Sequence, residues 1–337
     1  MSAKCNNASL FRRAHARRNG FGTQARKETE MRRTLICVVA AIALFAGVVL
    51  PAHGQDKKIV IGFAIGNTVE PFFQVLVDGA RKAAGDLGVD VVVASADGDV
   101  ARQLNTCEDF ISNNVGAIIL IPLDSTGLVP AVRNANKAGT PVVTADVAVL
   151  GGNVACHVAA DNSLGGRLAA RYLIDKLGGK GEVFILDNIK VTSISQRSDA
   201  FVAEIEKNAP GIKVVERTNV GFTRDACMKA SEDLILTYPN LNAIFGAEGT
   251  DAGLGAAAAV IAAGKRNDIV VVNFDCEEES IALLKKGGPI LADVYQNPFA
   301  IGYQAMEQAV KAAKGEKVEP EIKTEVKLIT ADNVDEL

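Results

Sequence analysis

Acidic and amide side chains recur in this chain at one kind of place, directly after an apolar run. Asn67 and Glu70 follow the run at 58–66, Asp146 ends that at 140–146, and Glu248 follows NAIFGA. Asp275 ends the run at 268–275, Gln296 ends that at 290–296, and Arg197 lies just past GEVFILD (181–187). Rings share this setting: Phe72 and Phe73 stand side by side after Pro71, and Phe222 follows 213–220, in a chain with only 5% aromatics and no tryptophan. Carboxylates accept hydrogen bonds from paired hydroxyls, while guanidinium and amide groups donate to hydroxyl and ring oxygens. An aromatic face covers the apolar C–H side of a pyranose or furanose. The set suits holding a small hydroxylated molecule. The competing role for Phe72 and Phe73 is to staple a helix onto its sheet. Successive helical residues point about 100° apart, so one ring is expected in the site and the other packed. The pattern does not say which is which.

These residues need a scaffold that gathers strand ends. KIVIGFAIG (58–66) is a β-branched run followed by a helical stretch from Pro71 to Leu87. VDVVVASA (89–96) leads to a helix over 99–114, GAIILIP (116–122) to one over 126–138, and TPVVTAD (140–146) closes the series. A second series has strands at 181–187, 213–220, 242–249, 268–275 and 290–296, with helices over 162–177, 193–208 and 223–238. Continuous apolar strands flanked by helices predict parallel sheets covered on both faces. Pro71 suits a first helical turn, and Gly139 and Gly178 suit helix ends. The two arrays predict an α/β fold of two doubly wound Rossmann-like lobes; ten or more strands are too many for one (β/α)8 barrel. In open sheets of this kind ligands bind beyond the carboxyl ends of the strands. If the two edges face each other, the polar set encloses a cleft with aromatic walls.

The amino terminus reads differently. Residues 1–30 are a basic extension with little apolar periodicity, consistent with an upstream mis-start at which Met31 is the true initiator. Residues 31–54 read as a secretory signal peptide: Arg32 and Arg33, then an apolar run over 35–50, then Ala52-His53-Gly54 as a cleavage site. That run falls short of the roughly 20 residues a membrane-spanning helix needs. Cleavage leaves 27 basic against 38 acidic residues, which disfavours nucleic acid as a partner. It also leaves Cys107, Cys156, Cys227 and Cys276, none with metal-ligand spacing; two disulfides or four free thiols are both open.

Catalysis finds little support. No GxGxxG follows the first strand and no GxxxxGK[ST] occurs, so no cofactor is called for; GAEGTDAGLG reads as a strand-to-helix turn. His157 sits on a strand, away from any Ser/His/Asp or Cys/His set.

Several stretches together carry a family likeness: EPFFQVLVDGARKAAGDLGV (70–89), PVVTAD (141–146), ADNSLGG (160–166), Arg197 within QRSDAF, VVVNFD (270–275) and Gln296-Asn297-Pro298. From about residue 58 to 330 the chain resembles the ribose/galactose-type periplasmic sugar-binding proteins that serve ABC importers. The resemblance implies the type I periplasmic binding protein fold, two lobes joined by three hinge crossings that close around a ligand. The lobes would be 55–160 plus 297–325 and 161–296 plus 326–337. It implies first-lobe aromatics at Phe72 and Phe73, with Glu70 replacing the asparagine usual before the proline. Sugar-binding aspartates fall on Asp146 and Asp275, the arginine on Arg197, an aromatic on Phe222 and a glutamine on Gln296. Val147 stands where ribose binders commonly carry a second arginine. The asparagine expected after 242–247 is replaced by Glu248, Gly249 or Asp251. One arginine lost and carboxylates gained point away from D-ribose toward a polyol, an amino sugar or a different pentose.

The resemblance further implies a periplasmic monomer that delivers its solute to a permease, with a chemoreceptor as another candidate partner. Sugar-responsive repressors share the fold, but they need a helix-turn-helix headpiece where this chain carries a secretion signal. A non-sugar solute such as a nucleoside, an autoinducer furanose or an amine is the alternative ligand.

Overall fold

β-Branched and apolar residues fill the strands so densely that both faces of each sheet must be covered. In the computed structural model β1 (Val60–Ile65), β3 (Ala117–Leu120) and β4 (Val142–Ala145) are buried almost throughout. The structure describes Lys58–Leu337 apart from residue 222. The basic extension, the signal peptide and Phe222 therefore lie outside the described residues.

The first sheet joins those strands to β2 (Asp90–Ser95), β5 (Cys156–Ala160) and β11 (Glu321–Thr324), in the order β11-β5-β4-β3-β1-β2 and all parallel. The second contains β6 (Lys180–Asp187), β7 (Gly211–Asn219), β8 (Leu241–Gly246), β9 (Val270–Phe274), β10 (Ile290–Gln296) and β12 (Val326–Thr330), in the order β12-β10-β9-β8-β6-β7. Only β12 runs antiparallel there, against β10. Two separate sheets of identical order rule out a single barrel. In each, the order reverses beside the first strand, between β1 and β3 and between β6 and β8. Such switch points open a crevice at the carboxyl ends of the strands. The chain passes from one sheet to the other after Ala160, after Gln296 and between Thr324 and Val326.

The helices are α1 (Pro71–Leu87), α2 (Val100–Ser112), α3 (Val129–Ala138), α4 (Asn162–Leu177), α5 (Thr192–Asn208), α6 (Arg224–Thr237), α7 (Thr250–Ala262), α8 (Glu278–Lys285) and α9 (Pro298–Ala313). Gly88, Gly139 and Gly178 close α1, α3 and α4 in the left-handed conformation. Glycine also sets helix spacing. A methyl at Gly302 would overlap the carbonyl oxygen of Leu76, and one at Gly166 would overlap that of Arg197. Helices α9 and α1, and likewise α4 and α5, thus meet backbone to backbone. The second of these contacts holds the Arg197 turn in place.

β11 and β12 have no counterpart in the sequence reading. Glu321-Ile-Lys-Thr is short and mostly polar, and it becomes a strand through its pairing with β5, more than 150 residues away in the chain. The cysteine question resolves toward free thiols at Cys107, Cys156, Cys227 and Cys276. Burial pushes Cys107 and Cys227 up to about 12 and Cys156 to about 11, far from the reactive thiolate. His157 packs in β5 with Nδ1 2.9 Å from Thr144 Oγ1, and burial lowers its pKa.

Candidate ligand-binding cleft between the lobes

Loops from both switch points border one cleft of about 1600 Å³. Asn67, Glu70, Phe72, Phe73 and Asp146 line it from the first lobe; Arg197, Glu248, Asp251, Asp275 and Gln296 line it from the second. Every predicted residue within the described chain is brought to this one space.

In the first lobe the turn into α1 is tied by Asn67. Its Oδ1 accepts from the backbone N–H groups of Val69 (3.1 Å) and Glu70 (3.2 Å), while its Nδ2 donates to Glu70 Oε1 at 2.6 Å. The bond from Nδ2 ties the Glu70 carboxylate beside the cleft and leaves Asn67 one amide hydrogen free. Phe72 and Phe73 both border the cleft, edge to face with centroids 5.4 Å apart. The expected division, one ring in the site and one packed, does not hold. Phe72 belongs to the core as well, at 8% exposure, and Phe73 is half-buried against the same core.

Asp146 sits at the end of β4 with φ 60°. The N–H of Val147 donates to the Ala145 carbonyl at 2.6 Å, closing a three-residue turn around Asp146, whose own N–H donates to Val158 in β5 at 2.8 Å. A non-glycine residue in this conformation is strained, and such strain gathers at functional sites. Asp275 holds the equivalent place after β9, with φ 91° and its N–H donating to Val294 in β10 at 2.9 Å. Two strained aspartates, one per lobe, thus project from matching strand ends.

The second lobe supplies the cation. Arg197 is buried at 3% exposure on α5. Its Nε donates to Asn162 Oδ1 (2.8 Å), its Nη1 to the Ala247 carbonyl (3.1 Å), and its guanidinium lies 4.0 Å from the centroid of Phe274. These are neutral partners, so the charge is left to act on the cleft. Gln296 Nε2 donates to Asp275 Oδ1 at 2.5 Å, and the Thr250 N–H donates to Asp275 Oδ2 at 3.4 Å.

Burial and mutual repulsion raise the carboxylates. Desolvation is the main cause at Asp146, pushed up to about 6 although Arg197 pulls the other way. It raises Glu248 to about 8, aided by Asp275, Glu70 and Asp251, and it raises Glu70 and Asp275 as well. Four buried oxygens of cleft-lining residues have no hydrogen-bond partner among the described residues: Asp146 Oδ1, Glu248 Oε2, Thr250 Oγ1 and Gln296 Oε1. All four can accept, and the Thr250 hydroxyl can also donate.

Sequence reasoning missed several participants. Glu277 lines the cleft and joins the lobes, its Oε1 accepting from the Phe72 N–H at the start of α1 (3.1 Å). Burial raises it to about 7. Its position two residues past Asp275 was the available signal. Asn162 and Phe274, which lie inside the ADNSLGG and VVVNFD stretches but were not singled out as site residues, hold Arg197 by its Nε and its guanidinium face. A second bridge runs from Ser125 and Ala148 to Lys190 and Thr192. The Ser125 N–H donates to the Lys190 carbonyl (3.0 Å), and Thr192 Oγ1 accepts from the Ala148 N–H (2.9 Å).

Two lobes of one topology, three crossings and a polar cleft between them define a solute-binding protein of the two-lobed kind. Residues 61–317 match the periplasmic binding protein domain family. The chain is 32% identical over 299 residues to the ribose import binding protein RbsB of Haemophilus influenzae, covering 88% of this chain and 99% of that protein. Among solved structures it is similar to an ABC transporter solute binding protein from Agrobacterium vitis bound with alpha-D-tagatopyranose (TM-score 0.77, 29% identity, 82% and 96% of the two chains). It is also similar to one from Bacillus halodurans with bound myo-inositol (TM-score 0.78, 26% identity, 84% and 98%). The chain belongs to the periplasmic binding protein family, in its ribose type, whose members are binding proteins of ABC importers and not enzymes.

Proposed function

We propose that this protein captures a monosaccharide or polyol between its lobes and delivers it to an ABC importer. The observation that carries the reading is the convergence of orphaned acceptors from both lobes, Asp146 Oδ1 on one side and Glu248 Oε2 and Gln296 Oε1 on the other. Hydroxyl hydrogens would satisfy them, while Phe72 and Phe73 cover an apolar sugar face. A ligand that needs both lobes binds the closed arrangement better than an open one, which is the condition for hinge closure. The three crossings after Ala160, after Gln296 and at Glu325 are the hinges in this reading, with lobes 55–160 plus 297–325 and 161–296 plus 326–337. The bridges from Glu277 to Phe72 and from Thr192 to Ala148 would then form part of the closed state.

The relatives' named ligands, ribose, tagatopyranose and myo-inositol, support the sugar or polyol class. Val147 in place of a second arginine favours a ligand other than ribose. The chain acts as a periplasmic monomer exported by the signal at 31–54, partners a permease and, as a further partner, a chemoreceptor; we assign it no catalytic step. A thermal-shift screen of pentoses, hexoses, polyols and amino sugars tests the reading. A ligand at 100 times its dissociation constant adds about 2.7 kcal/mol of stability, so at least one compound should raise the melting temperature clearly. A flat response to the whole panel would contradict it.

A further inference from the structure

The cleft is lopsided in charge. Ten carboxylates line the cleft against three cations. Of these, Arg224 is engaged by Glu279 (2.8 and 2.9 Å) and by Asp251 (3.5 Å), and Lys190 is exposed on a loop. Arg197 alone is buried among Glu70, Asp146, Glu248 and Asp275. A neutral sugar leaves this excess of carboxylate over cation uncorrected. An ammonium brings three donors, no acceptor and the missing charge.

We propose that the solute carries a protonated amine, so that the cleft takes an aminated monosaccharide or amino polyol with its ammonium against Glu70, Glu248 and Asp275. The proposal rests on the sugar-capture reading and narrows it. Two observations independent of the charge count point to a ligand at this place. Asp146 is about nine-tenths buried, at 6% exposure, with Oδ1 unpartnered, and Gln296 is at 1% exposure with Oε1 unpartnered. Both line the same cavity. The raised pKa of Glu248, with Asp275, Glu70 and Asp251 among its causes, agrees with a group that lacks a counter-charge. A second cation in the cleft supplies it.

Calorimetric titration of the protein with D-glucosamine, D-galactosamine, their N-acetyl forms and the parent D-glucose and D-galactose tests this. At least one amino sugar is expected to bind 10-fold or more tighter than its parent, and N-acetylation, which removes the charge, is expected to abolish that advantage. Glu248→Gln should shrink the ratio of amino sugar to parent affinity by 5-fold or more. Parents binding as tightly as their amino forms would overturn the amine inference and leave sugar capture standing. N-acetyl forms matching the free amines would do the same. No binding by any of the six, together with a flat thermal-shift screen, would overturn both.

Discussion

Replacing Arg197 by alanine should abolish solute capture and weaken the fold at the same time. The guanidinium is the one buried cation among Asp146, Glu248 and Asp275, and it lowers the pKa of each. Without it those carboxyls lose their counter-charge, while Asn162 Oδ1 and the Ala247 carbonyl lose their donors. Breaking a buried charged arrangement of this kind costs about 3–5 kcal/mol, to be read from a urea titration. Affinity should fall by 3 kcal/mol or more, roughly 100-fold, since bonds to a charged group are worth about 1.5–3 kcal/mol each. Arg197→Lys separates the two effects. It restores charge but not the planar fork, so it should regain stability in part while binding stays weak. Near-normal affinity in Arg197→Ala would remove the cation from the site.

Asp146→Asn should move stability and affinity in opposite directions. The carboxyl titrates at about 6 in the fold against 3.8 when unfolded, so the folded state keeps its proton to higher pH. Folded protein then binds more protons than unfolded protein between those values, and stability falls as pH rises through that window. Above it the charged Asp146 costs the fold about 3 kcal/mol. The amide removes that cost. The variant should therefore melt several degrees above the parent at pH 8, with the advantage shrinking below pH 6 and vanishing near pH 4. Solute affinity should drop by about 1.5–3 kcal/mol, because a charge-assisted acceptor is lost. A purely structural aspartate would not give this pair of signs. Calorimetry and melting curves across that pH range check both.

Much of this arrangement was legible before any coordinates. Strand ends announce themselves when an apolar run stops at a polar residue, so Asp146, Asp275 and Gln296 could be placed on one edge from pattern alone. Arg197 and Phe72 needed only the following helix. What could not be read depends on partners distant in the chain. β11 is a strand only because β5 pairs with it, and the free state of Cys156 and Cys227 follows from packing rather than spacing. Glu277 meets the Phe72 N–H across the cleft, some two hundred residues apart, and no local signal encodes that contact. The division of labour between Phe72 and Phe73 failed for a related reason: at a helix mouth both rings border the opening, even though their directions differ.

The most direct test of interlobe capture is a crystal structure of the protein with the compound that gives the largest thermal shift. Density for the solute should lie between the lobes, with its hydrogen-bond donors on Asp146 Oδ1 and Gln296 Oε1, its apolar face on Phe72 or Phe73, and Arg197 within hydrogen-bond reach. Density on an outer surface, or contacts confined to one lobe with Asp146 and Arg197 untouched, would contradict the account.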